Sequence, residues 1–316
     1  MLRHVVIVSL TVAHPIATCK RAATRHSAQA TLDNARREVG LPPGKLYATW
    51  ESFYQFTPPQ CAIFGAQGRC LIFVPIFKAA NDEIRGSLIE GMNQLRKDGS
   101  NYFTLDHSSC YSHERHPVVR VARLPYVNDV CYESIFTFTF AREPLTHFLA
   151  GYGEFVWRTY AKGILAAEDY RTIAAIKRNI TRDRNDPNGL LEKMLDGTMR
   201  WPGNDALHMA LMSGALDNAY GKFDFVGSIA NIDDDFDHVL RRARLVEDTQ
   251  ALRLKKNLGT HASTLDQLNA RADMKDLLAS NHTLRKALCH LLAPDYRCFS
   301  YDFKACLDGS SLELHA

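Results

Sequence analysis

Cys70-Leu71-Ile72-Phe73-Val74-Pro75-Ile76-Phe77-Lys78-Ala79-Ala80-Asn81-Asp82 is the stretch on which the fold turns. Its first five residues are continuously apolar, as a strand buried on both faces should be. After Lys78 the period changes, and Ile84, Leu88, Met92 and Leu95 recur on one helical face. Asn81 and Asp82 stand where that helix would begin, and either suits a cap. The order is strand, tight loop, helix.

The unit recurs downstream. Residues 135–141 alternate strictly, with Phe136, Phe138 and Phe140 on one side and Thr137 and Thr139 on the other. Arg142-Glu143-Pro144 breaks the strand, and Pro144 suits a helix first turn. Leu145, Phe148, Leu149, Tyr152, Phe155 and Val156 then recur at helical spacing. A third strand, Phe223-Asp224-Phe225-Val226-Gly227, precedes an acidic turn (Asp233, Asp234, Asp235) and a helix through Phe236, Val239, Leu240 and Leu245. Repeated strand–helix alternation predicts an α/β fold: a P-loop-like parallel sheet flanked by helices, in a single domain over 61–316. Residues 1–60 read as a signal or stem-like lead-in. Residues 100–117 and 179–205 read as polar loops.

Composition bounds the function. The 316 residues are 46% hydrophobic and 23% charged, a globular balance that excludes disorder and coiled coil. Thirty-eight Lys and Arg against 35 Asp and Glu leave only +3, so a nucleic-acid coat is not expected, although a local basic pocket for an anion is compatible. Eight cysteines without a CxxC pair speak against zinc ribbons and thioredoxin-like sites. They are compatible with disulfides, Cys61 with Cys70 or Cys298 with Cys306 closing short loops, and equally with small buried thiols. The apolar run 5–12 is a signal segment, a strand or a truncated anchor; any membrane association would come through it. Asn179-Ile180-Thr181 and Asn281-His282-Thr283 are glycosylation acceptors in form. Together these features lean towards the secretory pathway.

In a sheet of this kind ligands bind at the carboxyl ends of the strands, where helix starts offer unpaired N–H groups suited to phosphate or sulfate. The 76–82 loop is placed for that, with small Ala79 and Ala80 admitting an anion and Lys78 neutralising it. A Walker A pattern is absent.

Residues 72–81 resemble the 5′-phosphosulfate loop of the Golgi-type carbohydrate sulfotransferases. Phe138-Thr139-Phe140-Ala141-Arg142-Glu143-Pro144, continuing to Phe148 and Tyr152, is similar to that family's 3′-phosphate motif. Residues 220–231 resemble its Tyr-Asp-Phe-Val-Gly block, His208 and Ser213 fall near its His-x-x-x-Gln-Ser segment, and 292–303 resemble its C-terminal signature. The resemblance covers about 68–304. It implies sulfuryl transfer from 3′-phosphoadenosine-5′-phosphosulfate to a carbohydrate hydroxyl in the Golgi lumen or at its membrane, without a metal. Lys78 would stabilise charge on the leaving oxygen, the N–H groups of Ala79, Ala80, Asn81 and Asp82 would hold the 5′-phosphate, and Arg142 would pair with the 3′-phosphate. A general base is needed near the donor. The resemblance suggests His107, with His113 and His116 behind it; Asp106 and Glu114 share the loop.

The departures define the alternative. Phe77 stands where the family has Pro, His147 where Arg is common, Met212 where Gln follows the His, and Ala150 where a Ser would bind the 3′-phosphate. One lost hydroxyl–phosphate contact costs about 1.5–3 kcal/mol. A weak or inactive relative acting as a glycan- or protein-binding module is the alternative reading. His208 reads equally as packed or as lining the acceptor cleft. Asp233, Asp234 and Asp235 read as helix-start charges rather than a calcium site.

Overall fold

The computed structural model describes residues 25–44, 62–66, 68–97, 102–105, 133–160, 191, 194–195, 208–219, 223–244, 254 and 264–313. In chain order its elements are α1 (Arg25–Glu38), β1 (Ala62–Ala66), β2 (Arg69–Phe73), α2 (Asn81–Lys97), β3 (Tyr102–Leu105), β4 (Ser134–Ala141), α3 (Pro144–Tyr160), α4 (Met212–Ala219), β5 (Phe225–Ser228), α5 (Ile232–Ala243), α6 (Leu265–Ser280), α7 (His282–Phe299) and α8 (Phe303–Asp308).

The expected parallel strands are β2, β4 and β5, and they lie side by side with β4 in the middle. Phe73 faces Phe138, and Phe138 faces Phe225, so the three carboxyl ends share one edge. The sheet is larger than the sequence pattern predicts. β1 pairs antiparallel with β2 through a tight hairpin at Gly68 (φ 76°), and β3 pairs antiparallel with β1, giving the order β3-β1-β2-β4-β5. Residues 102–105, expected in a polar loop, are therefore an edge strand.

Alternation along β2 explains the two layers. Leu71 and Phe73 point to one face, where they meet Phe138 and Phe140 of β4, Ile84 and Leu88 of α2, and Phe236, Val239 and Leu240 of α5. Cys70 and Ile72 point to the other, onto Met212 and Leu216 of α4 and Cys298 and Phe299 of α7. Full burial of each Phe or Leu contributes about 1.5–3 kcal/mol. Thr137 and Thr139, on the opposite side of β4 from the Phe stripe, are both buried. The Thr139 hydroxyl is satisfied by donating to the Val74 carbonyl at 2.6 Å.

A third cluster packs α1, α3, α6 and α7 together. Leu32 and Ala35 of α1 are fully buried there, so part of the expected lead-in over 1–60 belongs to the packed unit. Cys289 of α7 is disulfide-bonded to Cys306 of α8, 17 residues on. This corrects the expected Cys298–Cys306 pairing and the free-thiol alternative. Cys289 and Cys306 face the helical cluster, whereas Cys298 faces the sheet layer beside Cys70. Cys70 and Cys298 each take part in a disulfide as well. Among the described residues no helix is long and apolar enough to cross a membrane. Residues 1–24, with the apolar run, lie outside the described residues, as do Cys61 and Asn179. Asn281 is described, and its side-chain oxygen caps α7 by accepting the Leu284 N–H at 3.1 Å.

Candidate active site

Three chain segments converge at the carboxyl edge of the sheet. The first is the loop between β2 and α2. Val74 still pairs with β4, its N–H donating to Phe138 O at 3.0 Å. The chain then turns sharply, with Ala79 N–H donating to Ile76 O at 3.2 Å. Lys78 (φ 60°) and Ala80 (φ 52°) both take the left-handed conformation. For non-glycine residues this costs on the order of 1–3 kcal/mol each, and such strain concentrates at ligand sites. Left-handed residues alternating with right-handed ones turn successive N–H groups towards one point, an anion-binding concavity. The closing bond at Ala79 leaves the N–H groups that open α2, those of Asn81, Asp82 and Glu83, without intrahelical acceptors. The Oδ1 atom of Asn81 is buried with no hydrogen-bond partner among the described residues.

The second segment is the start of α3. The Arg142 guanidinium reaches across to donate to Lys78 O at 3.3 Å. Burial, and then repulsion from Arg271, lower its pKa. Glu143 caps α3, accepting the Thr146 N–H at 2.7 Å and the Tyr296 hydroxyl. Pro144 is the first helical residue, as its missing N–H favours. His147 is buried, and its Nε2 lies 2.8 Å from Phe77 O. A carbonyl only accepts, so Nε2 carries the proton. Burial drives this imidazole down to about 4, so it is neutral at pH 7 and ties the β2–α2 loop to α3 as an uncharged donor.

The third segment is α6, which crosses α3. Lys78 Nζ lies 2.9 Å from Glu154 Oε2, and the Glu154 carboxylate is only 6% exposed. Gln267 donates to the same oxygen at 2.6 Å while forming a capping box with Thr264 at the start of α6. Two glycines permit the crossing. A Cβ on Gly151 would stand 2.1 Å from His208 O, and one on Gly153 would stand 2.8 Å from both Gln267 O and Arg271 Nε. His208 is buried against Phe77, ring centroids 4.4 Å apart. Behind it, Asp295 of α7 accepts the N–H groups of Met212 (2.9 Å) and Ser213 (2.8 Å), and burial raises its pKa to about 6.

The structure thus brings Lys78, Ala79, Ala80, Asn81, Asp82 and Arg142 to one edge. His107, His113 and His116, with Asp106 and Glu114, lie outside the described residues. Glu154, Gln267 and Arg271 are cluster members that the sequence reading did not select. Ala150 is buried on the same face of α3, one turn before Glu154. Asp235 donates charge to the fold locally, accepting the Ser228 N–H at 2.7 Å. Among the described residues no group of three or more His, Cys, Asp or Glu side chains could hold a metal ion.

The sequence profile of the Sulfotransferase family matches residues 71–302, which run from β2 to the cap of α8 and contain every residue of this cluster. The chain belongs to the Sulfotransferase family. No curated protein and no solved structure matches it. The family fits the cluster's chemistry, because a strained loop, a helix start and guanidinium groups at one sheet edge form an anion-binding constellation. Membership implies transferase activity, a sulfate donor and a hydroxylated acceptor.

Proposed function

We propose that the protein transfers a sulfuryl group from 3′-phosphoadenosine-5′-phosphosulfate to a carbohydrate hydroxyl in the lumen of the Golgi. The observation that carries this reading is the left-handed pair Lys78 and Ala80 at the start of α2, with Arg142 bonded to the Lys78 carbonyl. One helix start and one guanidinium match a nucleotide with two separate phosphate ends.

The residues divide the work. The N–H groups opening α2 receive the 5′-phosphate, and Arg142 pairs with the 3′-phosphate. The acceptor oxygen attacks sulfur as the bond between sulfur and the 5′-phosphate oxygen breaks. Lys78 meets the charge developing on that oxygen. The acceptor proton passes to a base, for which His107 is the candidate. The bisphosphate nucleotide leaves with the electron pair. Lys78 starts from its ion pair with Glu154, which holds its ammonium beside the donor loop. The luminal compartment is supported by the Cys289–Cys306 bridge and by the bonded states of Cys70 and Cys298, which an oxidising environment sustains.

The test is transfer of radiolabelled sulfate from the donor to a panel of desulfated glycosaminoglycans and N-glycans, in the presence of chelator. Incorporation that Lys78→Met and His107→Ala both reduce by at least 100-fold supports the reading. Wild-type protein that binds a glycan without incorporating label favours the second reading, a non-catalytic binding module, for which the buried methyl of Ala150 is the motivating observation.

A further inference from the structure

We propose that Arg271 is a donor-binding residue, supplying the second positive group at the phosphate-monoester end of the nucleotide in place of the hydroxyl absent at Ala150. This rests on the donor reading above and adds a residue from an element distant in sequence.

The placement is set by the crossing of α6 over α3. Ala150, Gly153 and Glu154 share one face of α3, at i, i+3 and i+4. Gln267 and Arg271 share the facing side of α6, four residues apart. Gln267 reaches Glu154 directly, and the Arg271 guanidinium lies over Gly153, where a Cβ would stand 2.8 Å from its Nε. The glycine therefore makes room for this guanidinium within one helical turn of the Ala150 methyl.

The bonding of Arg271 is incomplete. Among the described residues its Nε is buried without a hydrogen-bond partner. Buried donors in folded proteins are normally satisfied, so an orphan of this kind asks for an acceptor. Its nearest opposite charge is Glu154, an oxygen of which already receives Lys78 and Gln267. Arg142 lies close enough that the charge of Arg271 lowers its pKa. Two partly buried guanidiniums set close to each other are unfavourable alone and become favourable around a dianion, which each can grip with a planar fork. A phosphate monoester has the charge and the oxygens to satisfy both.

The experiment is calorimetric titration of the full chain with 3′-phosphoadenosine-5′-phosphate and, separately, with adenosine 5′-monophosphate, which lacks the 3′-phosphate. Arg271→Ala should weaken the bisphosphate about 10- to 100-fold and leave the monophosphate unchanged, the size of one charge-assisted contact. Arg271→Gln, which keeps most of the packing over Gly153, should show the same selective loss. Ala150→Ser in the Arg271→Ala background should recover part of it. Equal losses for both nucleotides in both variants would make Arg271 a structural residue and overturn the proposal. An unchanged bisphosphate affinity would overturn it while the donor reading stands. Wild-type protein that binds neither nucleotide would remove the donor reading itself, and this proposal with it.

Discussion

Replacing Lys78 tests whether the ion pair at the mouth of the site is structural as well as chemical. Its ammonium sits 2.9 Å from a Glu154 carboxylate that is 6% exposed, while the lysine side chain itself is 24% exposed. Removing one partner of a buried pair leaves an uncompensated charge, at a cost of about 3–5 kcal/mol when burial is complete. Solvent at Lys78 brings the expectation to the lower end, so Lys78→Met should lose about 3 kcal/mol. Glu154→Gln keeps an oxygen for the Gln267 amide and removes the stranded charge, so the double variant Lys78→Met/Glu154→Gln should lose only about 1 kcal/mol. Glu154→Gln alone, which leaves the more exposed ammonium unpaired, should lose about 1 kcal/mol, so the resulting coupling is about 3 kcal/mol, read from urea unfolding of the four proteins at pH 7 with the disulfides intact. Additive single-variant losses, or a Lys78→Met protein within about 0.5 kcal/mol of wild type, would refute the claim that Glu154 depends on Lys78.

Three further outcomes follow from the packing and the titrations. Gly151→Ala drives a methyl into the His208 carbonyl and should cost about 1–3 kcal/mol, measured as a fall in urea midpoint at unchanged slope. Breaking the Cys289–Cys306 bridge with a double Ala substitution should cost about 3 kcal/mol through the 17-residue loop it closes, while a Cys298→Ala/Cys306→Ala pair should leave Cys289 reactive to thiol reagents after unfolding. The third concerns pH. Burial holds His147 down at about 4, so the unfolded chain takes up this proton first and stability is lost as pH falls from about 6.5 to 4. Burial holds Asp295 up at about 6, so its contribution is full below about 3.8 and is lost as pH rises towards 6. The two slopes oppose each other, each worth about 3 kcal/mol. His147→Gln, which keeps a donor for Phe77 O, should therefore unmask a stability that falls by about 3 kcal/mol between pH 4 and 6. A profile as flat as wild type would contradict this.

The sequence carried the parallel core because its periods are strong. The apolar run 70–74 and the switch at Lys78 mark β2 and α2, and the Phe136, Phe138, Phe140 stripe marks β4. β1 and β3 escaped because neither runs through a tight loop into a helical period as β2 and β4 do, and Gly65 interrupts the apolar pattern of β1. The loop residues and Arg142 could be placed at one sheet edge because they follow β2 and β4 directly. Glu154, Gln267 and Arg271 could not. On their own helices they look like a solvated polar face, and only the α3–α6 crossing turns them inward. The pattern Gly151-Tyr152-Gly153 was the one available signal, since two glycines inside a helix indicate close approach on both flanks. Cys289 with Cys306 was equally hidden. Which side of α7 each cysteine faces depends on the partner layers, not on loop length.

On the proposed reading the loop over 74–82 and Arg142 form one nucleotide site. Its most direct test is the equilibrium affinity of 3′-phosphoadenosine-5′-phosphate for wild type, Lys78→Met and Arg142→Ala, each first shown to be folded by circular dichroism. Wild type should bind with micromolar affinity, and each variant should lose at least 10-fold. A folded wild-type protein that does not bind at millimolar nucleotide, or variants that bind as tightly as wild type, would contradict it.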